Sequence, residues 1–167
     1  MTTTTGGPRA MRTAPTGAQL ADLLETAGLT GRGGAAYSTA TKLRSTLTHS
    51  FDLVVNACDG EIGAVKDAWV VANRLDEVER GVGLLGARSV RWAAHRDSGT
   101  HAALLAARLD VLSVPPRYVS SEESALVSLA HGGLARPVTK HVPVSTGGVD
   151  GRGKRLRPTL VLNAETV

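Results

Sequence analysis

The sequence has few of the residues that build several common kinds of functional site. Its 167 residues include one cysteine, Cys58, which excludes an internal disulfide and any metal or iron–sulfur site made of cysteines alone. Aromatic residues make up only 3% of the chain, so the core must consist mainly of Ala, Val and Leu. No apolar run approaches the ~20 residues that a transmembrane helix needs. These absences favour a cytoplasmic globular domain with no membrane insertion.

The N-terminal stretch and the charge distribution further limit the location and the binding partners that we expect for the protein. Residues 1–16 are rich in Thr, Gly and Pro and lack the apolar segment of a signal peptide, so we expect a flexible tail. The net charge is +4, with much of the excess between Gly151 and Arg157. This basic segment could contact nucleic acid, but no aromatic residue lies near it to stack on bases. A solvated loop, or a patch that faces an acidic protein partner, is favoured. The five histidines show no metal-ligand spacing, so no metal site is predicted.

Strand and helix patterns alternate along the chain. Thr16 and Gln19 match a capping box that opens a helix ending at Gly28, and Ser120 to Glu123 match another. Strands are predicted at 51–56, 89–94, 111–114 and 159–163, and further helices at 38–47, 66–73, 75–85, 100–109 and 120–131. The Pro- and Gly-rich segment 134–158 is expected to be irregular, with one hairpin. This alternation indicates a Rossmann-like α/β sandwich with a mostly parallel sheet over residues 17–167.

A glycine-rich stretch from Gly28 to Lys42 precedes the second helix. It reads Gly-Leu-Thr-Gly-Arg-Gly-Gly-Ala-Ala-Tyr-Ser-Thr-Ala-Thr-Lys. Glycines at this density let backbone N–H groups turn toward an anion, and a helix N-terminus favours negative charge. The stretch is either a phosphate cradle or an ordinary surface loop, and the downstream motifs bear on that choice.

Three more polar clusters lie where a strand or loop meets a helix. They are Asn56–Glu61, Ser120–Glu123 and Asn163–Thr166. Polar groups at the carboxyl ends of parallel strands point into the ligand crevice of many α/β proteins. Convergence of these clusters with the glycine-rich stretch would combine phosphate donors and a lysine with carboxylates and amides. That is the chemistry of a flavin mononucleotide (FMN) site.

Four motifs in this order resemble the FMN-binding domain of the NADH-oxidising flavoprotein subunit of respiratory complex I and of its hydrogenase and formate dehydrogenase relatives. The first is Gly28–Lys42, against the family pattern Gly-Leu-x-Gly-Arg-Gly-Gly-Ala-Gly-Phe-Pro-Thr-Gly-x-Lys. The second is Val54–Gly63, followed by a typical Lys-Asp pair at 66–67. The third is Ser121–Leu126, and the fourth is Pro158–Thr166. The resemblance covers the chain from about Gly28 onward.

The resemblance implies a role for each matching residue. FMN would be held by Gly31, Arg32, Gly33, Gly34, Lys42, Asn56, Cys58, Asp59, Glu122, Glu123, Asn163 and Thr166. NAD(H) would be contacted by Tyr37, Glu61 and Lys140, with Glu61 as the catalytic carboxylate beside the nicotinamide. Cys58 replaces a family aspartate, and it is interpreted either as a small buried hydrophobe or as a redox group.

The chain departs from the family pattern mainly on the NADH side. Tyr37 replaces one stacking phenylalanine, Ser45 replaces a second aromatic, and the Lys140–Val144 segment offers no third. The family's ubiquitin-like and iron–sulfur domains have no counterpart in the sequence. The resemblance therefore implies an FMN-dependent, NADH dehydrogenase-like electron-transfer domain with no iron–sulfur cluster of its own. It would pass electrons between NAD(P)H or a protein donor and an iron–sulfur or ferredoxin-like partner. The alternative is a degenerate structural or regulatory subunit that keeps the fold without redox activity.

Overall fold

The secondary structure follows the predicted alternation of strands and helices. The computed structural model describes residues 14–32, 35–139, 142–149 and 154–167. The elements are α1 (Gly17–Thr26), α2 (Thr39–Arg44), β1 (Asp52–Asn56), α3 (Lys66–Leu85), β2 (Ser89–His95), α4 (Gly99–Ala106), β3 (Val111–Val114), α5 (Glu123–Ala130), β4 (Gly148–Val149), β5 (Arg155–Leu156) and β6 (Thr159–Asn163). Two 3-10 turns, Tyr118–Ser121 and Val144–Thr146, lie on either side of α5 in the chain.

One four-stranded sheet forms the centre of the described fold. Its strand order is β3-β2-β1-β6, and all three neighbouring pairs are parallel. β1 and β6 are in register from Asp52↔Thr159 to Asn56↔Asn163. A separate antiparallel pair, β4 and β5, is the hairpin expected in the irregular segment. The Rossmann-like α/β fold with a mostly parallel sheet is thereby confirmed.

The two faces of the sheet are covered by different helices. Leu53, Val55, Leu160 and Leu162 point to one face, where they form a core with side chains of α1, α2, α3 and α4. Val54, Ala93 and Val161 point to the other face, where Leu126 and Val127 of α5 cover them. Alternate residues of each strand are thus buried on opposite sides, as expected for a parallel sheet with helices on both faces.

The chain connections of the neighbouring strands β1 and β6 run on different faces of the sheet. From β1 the chain crosses through α3 to β2, whereas β6 is reached through α5 on the opposite face. The connection that leaves β1 and the connection that enters β6 therefore lie on opposite faces of the sheet, as they do around a topological switch point. Ligands of open α/β sheets bind at such a topological switch point.

The glycine and capping predictions are confirmed for α1. Thr16 and Gln19 form both hydrogen bonds of the capping box. After α1 ends at Thr26, Gly28 adopts φ +63, a left-handed conformation that glycine adopts at little cost.

Several helix boundaries differ from the prediction, and α2 ends at Arg44 rather than at 47. The helices expected at 66–73 and 75–85 are one element, α3, with a non-helical residue, Arg74 (φ −135, ψ 15), at their predicted junction. α4 ends at Ala106 rather than 109, because Arg108 turns to φ +59. The predicted Ser120 cap is wrong, because Ser120 lies in a 3-10 turn and bonds the Ala135 carbonyl, and Glu122 caps α5 instead.

Candidate functional site

Two asparagines lie side by side at the carboxyl ends of β1 and β6. Asn56 and Asn163 are register partners, and Asn163 Nδ2 donates to the Asn56 carbonyl oxygen at 3.2 Å. Asn56 Nδ2 donates to the Ser121 carbonyl at 3.1 Å, and Asn56 Oδ1 accepts the Cys58 N–H at 3.0 Å. The predicted clusters around 56, 121 and 163 therefore meet at one edge of the sheet.

The glycine-rich loop is attached to the same edge. The Arg32 N–H donates to Thr166 Oγ1 at 2.9 Å, a contact between residues 134 positions apart. The Gly31 N–H donates to the Tyr37 carbonyl at 2.8 Å, which closes the loop on itself. Gly33 and Gly34, which the sequence predicts as phosphate contacts, lie outside the described residues. The first and fourth motifs are thus joined just beyond the end of β6.

Lys42 links the helices on the two faces of the sheet. It lies on α2, and its Nζ is 2.7 Å from Glu123 Oε1, in the first turn of α5. The same Nζ donates to the Val161 carbonyl of edge strand β6 at 3.4 Å. Two predicted cofactor residues, 81 positions apart, are thereby brought into one ion pair.

Helix α2 also carries a buried hydroxyl group. Thr39 is buried in the first turn of α2, three residues before Lys42, and its Oγ1 has no hydrogen-bond partner among the described residues. An unpaired buried hydroxyl costs ~1–3 kcal/mol, so its retention calls for an explanation. A donor hydroxyl and an ammonium group in one short helix suit a phosphate oxygen. The donor set is compatible with an FMN phosphate.

A second lysine, Lys66, forms a hydrogen-bonded group with Asp67 and Asn163. Lys66 Nζ donates to Asp67 Oδ1 at 2.6 Å and to Asn163 Oδ1 at 2.8 Å, while Asn163 Nδ2 donates to Asp67 Oδ2 at 3.1 Å. The Asp67 side chain is only 1% exposed. Burial raises the pKa of Asp67 above its ordinary value, although hydrogen bonds from Lys66 and Asn163 oppose that effect. In the sequence, Lys66 and Asp67 stand out only as a typical pair with no assigned role.

Two predicted cofactor residues already make contacts within the fold. Asp59 caps α3 by accepting the N–H groups of Asp67 and Ala68 at 2.9 and 3.0 Å. Glu122 caps α5, with its Oε2 accepting the Ser124 and Ala125 N–H groups. Both assignments to FMN stay predictions.

Cys58 lies in the core that α5 covers, although its backbone is at the edge of the sheet. Burial, reinforced by the nearby Asp67 and Asp59 carboxylates, raises the pKa of the Cys58 thiol far above its ordinary value. The thiolate is the reactive form of cysteine. The environment therefore favours the small buried hydrophobe over the redox group.

Two of the three residues predicted to contact NAD(H), Tyr37 and Glu61, have exposed side chains. Tyr37 is about half exposed at the end of the glycine-rich loop, and Glu61 is exposed in the turn that follows β1. Lys140 lies outside the described residues. Ser45, at a position where the family has an aromatic residue, donates to the Lys42 carbonyl at 2.6 Å and shares a hydrogen bond with Ser145. Tyr37 is therefore the aromatic surface available for stacking at the positions predicted from the motifs.

A cavity of about 360 Å³ adjoins the site between the exit of β1 and helices α3 and α4. Small apolar side chains form much of its wall, with Asp59, His95, Ser98 and Thr100 as polar members. Sequence patterns do not indicate this cavity, because its wall combines residues from separate segments of the chain. Groups of three or more His, Cys, Asp or Glu side chains suited to a metal ion are not found in the described ranges.

Comparison with protein families identifies the family of the chain. The family described as the Nuo51 FMN-binding domain matches residues 24–167. The chain belongs to this family. The match spans all four motifs, and it confirms the resemblance inferred from them. A search of the curated proteins found no match to the chain. Within the part of the chain that the structure describes, no helix is both long and apolar enough to cross a membrane.

Proposed function

We propose that this Nuo51-family domain binds FMN at the crevice between β1 and β6 and transfers electrons between NAD(P)H or a protein donor and an iron–sulfur partner. The observation that carries the proposal is the meeting of all four motifs at one edge of the sheet. Arg32 contacts Thr166, Lys42 contacts Glu123, and Asn56 contacts Asn163. A switch-point crevice with these donors is where an α/β fold would hold a nucleotide.

The chain's own residues would bind and orient the cofactor. Lys42, the Thr39 hydroxyl and N–H groups of the glycine-rich loop would hold the phosphate. Asn56, Asn163 and the neighbouring backbone would position the polar edge of the ring, and Glu61 would face an incoming nicotinamide. When bound, FMN supplies hydride and single-electron chemistry, so the protein need only position the reactants and exclude competing reactions.

Electron entry from NADH rests on a reduced stacking surface. Base–aromatic stacking contributes ~1–3 kcal/mol per base in nucleic-acid proteins, and Tyr37 would be the aromatic residue that supplies it here. Ser45 and Ser145 are hydrogen-bonded to each other and present hydroxyls rather than a ring. The proposal therefore includes a ferredoxin-like protein, as well as NAD(P)H, as a candidate redox partner of the flavin. The degenerate, non-catalytic subunit remains the competing function.

Flavin titration of matched variants tests the cofactor assignment. Lys42→Ala removes a charge expected at the phosphate and should weaken FMN binding at least about tenfold, or ~1.4 kcal/mol. Arg44→Ala is the control, because Arg44 lies on the same helix but pairs with Asp22 and Glu25 of α1. It should change FMN affinity less than about twofold. Absorbance and fluorescence titrations measure both, and equal losses in the two variants would remove Lys42 from the site.

Anaerobic addition of NADH separates the catalytic from the degenerate function. Bleaching of the flavin band after NADH addition would establish a working nicotinamide site. If FMN binds but only a reduced ferredoxin bleaches it, the donor is a protein. If the purified protein binds no FMN at micromolar concentration, the electron-transfer proposal fails and the structural role is favoured.

A further inference from the structure

Two arginines lie at the amino ends of the strands of the main sheet. The candidate cofactor site lies at the carboxyl ends of the same strands. Asp52, the first residue of β1, accepts hydrogen bonds on both carboxylate oxygens. Arg88 Nη2 is 2.6 Å from Oδ1, and Arg157 Nε is 3.0 Å from Oδ2. Ser89 Oγ also donates to Oδ1 at 2.7 Å. Residues beside both neighbouring strands, β2 and β6, thus converge on one carboxylate of the central strand.

The Asp52 carboxylate holds the two guanidinium groups in fixed positions. Burial by itself would raise the pKa of Asp52. Hydrogen bonds from Ser89 and Arg88, with the positive charge of Arg157, outweigh burial and lower the pKa of Asp52 below its ordinary value. Asp52 is therefore ionised at neutral pH, and it orders two long side chains that would otherwise lose conformational entropy on binding a ligand.

The arginines, and not the aspartate, face the solvent. The Asp52 side chain is 12% exposed, against 46% for Arg88 and 57% for Arg157. A guanidinium carries five N–H donors, and the hydrogen bonds to Asp52 use only part of them. Donors of each arginine remain for a second anion that approaches from outside.

Positive charge extends beyond the pair. Arg91 lies on β2, and Lys154 and Arg155 precede Arg157 in the segment that contains hairpin strand β5. The carboxylate of Asp110, the residue before β3, lies 3.8 Å from Arg91 Nε. The aromatic residues next to the cluster in sequence, Phe51 and Trp92, are 5% and 2% exposed and cannot stack on bases. Among the described residues, these two aromatic side chains therefore offer no platform for stacking bases beside the guanidinium groups.

We propose that the basic cluster, defined as Arg88, Arg91 and Arg157, is a docking surface for an acidic segment of a partner protein. Arginine forks match the planar carboxylates of Asp and Glu, and the preorganised pair Arg88 and Arg157 forms the centre of the surface. Asp52 and Asn56 are the two ends of five-residue β1, about 13 Å apart at ~3.3 Å per residue. A partner docked here leaves the cofactor edge open. The proposal is independent of FMN binding.

Binding of a labelled 20-residue oligoglutamate peptide, followed by fluorescence anisotropy at 50 mM salt, tests the proposal. Arg88→Gln/Arg157→Gln should weaken binding at least about tenfold. The matched control is Arg74→Gln/Arg96→Gln, which removes the same charge from arginines that are 53% and 60% exposed and also paired with carboxylates. The control should lose less than about twofold. Equal losses would reduce the effect to net charge and overturn the proposal.

Two further measurements distinguish loss of binding from loss of folding, and a protein partner from a nucleic-acid partner. Arg157→Gln alone should keep most of the folding stability and still weaken peptide binding about threefold or more; unchanged binding would overturn the proposal. A single-stranded 20-nucleotide DNA of similar charge serves as the competing ligand. If it binds more tightly than the peptide, with the same dependence on Arg88 and Arg157, the surface is a nucleic-acid site and the protein-docking proposal is wrong.

Discussion

Asp67 is a carboxyl group whose burial conflicts with its charge. It is almost completely inaccessible to solvent, and its oxygens accept hydrogen bonds from Lys66 and Asn163. Burial nevertheless dominates and raises the pKa of Asp67 above its ordinary value. Removing one member of a buried pair usually costs stability because the other charge is left unpaired. Here the Lys66 side chain is 43% exposed and can be solvated without Asp67.

The pH dependence of stability should reveal this conflict in an Asp67→Asn variant. Because the pKa of Asp67 is higher in the folded than in the unfolded chain, the folded protein binds more protons between the two values. Its unfolding free energy therefore falls as pH rises through that window. The amide introduced by the substitution does not titrate. We expect the stability of the wild type relative to Asp67→Asn to decrease from pH 3 to pH 7, by ~1.4 kcal/mol for each unit of pKa difference.

Urea unfolding of both proteins at each pH measures this difference, and the titration of all other groups cancels between them. The introduced amide keeps a carbonyl oxygen that can accept from Lys66 or Asn163, so the variant is expected to fold. A relative wild-type stability that increases with pH would show that the ion pair with Lys66, and not burial, controls the titration of Asp67.

At the level of single residues, the sequence indicates which side chains are candidates for a site but not which residues they contact. Lys42, Asn56 and Asn163 could be selected because their positions in the motifs are distinctive. The ion pair between Lys42 and Glu123 could not, because it joins helices on opposite faces of a sheet whose strand order the sequence does not specify. Thr39 was missed for a similar reason, since only the packed structure shows that its hydroxyl is buried and has no partner among the described residues.

Among the helices, α3 is the one whose shape bears most directly on the site. A Cβ atom on Gly81 would overlap the carbonyl oxygen of Val167 and lie 3.0 Å from its carbonyl carbon. Val167 belongs to the turn in which the N–H groups of residues 166 and 167 bond the Asn163 carbonyl. That turn also positions Thr166 for its contact with Arg32. The close approach at Gly81 thus connects the middle of α3 to the glycine-rich loop.

Two glycine substitutions in α3 should have opposite effects on stability. Gly81→Ala should destabilise the protein by ~1–3 kcal/mol, because the backbone of residue 167 must move. It should also weaken FMN binding, through the displaced Thr166. Gly83→Ala is the control, since a Cβ at Gly83 meets no atom within 4 Å. That change should stabilise α3 by ~0.5–1 kcal/mol.

Chemical unfolding curves and FMN titrations of the two variants measure these effects. If Gly81→Ala were as stable as Gly83→Ala and bound FMN normally, the turn after β6 would be free to shift, and the proposed link between α3 and the site would be wrong.

Element boundaries were predictable where local chemistry determines them. The α1 capping box and all four strands of the main sheet follow from capping residues, apolar runs and glycines. The start of α5 was placed wrongly because Ser120 and Glu123 have the spacing of a capping box. Tertiary packing instead buries Ser120, whose hydroxyl donates to the Ala135 carbonyl. A local pattern could not anticipate a contact with a segment 15 residues away.

For the molecule as a whole, the two edges of the sheet separate two chemistries. The carboxyl ends of the strands combine the amides of Asn56 and Asn163 with Lys42 and Lys66, and the amino ends carry the basic cluster around Asp52. The proposed cofactor site and the proposed docking surface therefore do not compete for the same side chains. A partner at one edge and a nucleotide at the other could be bound together.

Ligand binding should be visible in the thermal stability of the intact chain. FMN at 100 times its dissociation constant adds ~2.7 kcal/mol to the unfolding free energy of a protein that binds it only when folded. For a domain of this size, that corresponds to an increase in Tm of roughly 5–11 °C. Riboflavin, which lacks the phosphate, is the control ligand and should raise Tm much less. Equal shifts from the two ligands would mean that the glycine-rich loop does not hold the phosphate.

The parallel pairing of β1 with β6 also sets the order in which the chain can fold. Asp52 and its register partner Thr159 lie far apart in sequence. β1 lies between β2 and β6 in the sheet, and of these two neighbours β6 is synthesised later. Contacts of such long range slow folding, because loop-closure entropy is lost before they form. During synthesis, the crevice between β1 and β6 cannot exist until residues 159–166 have left the ribosome. The proposed cofactor site is therefore completed only when β6 pairs with β1.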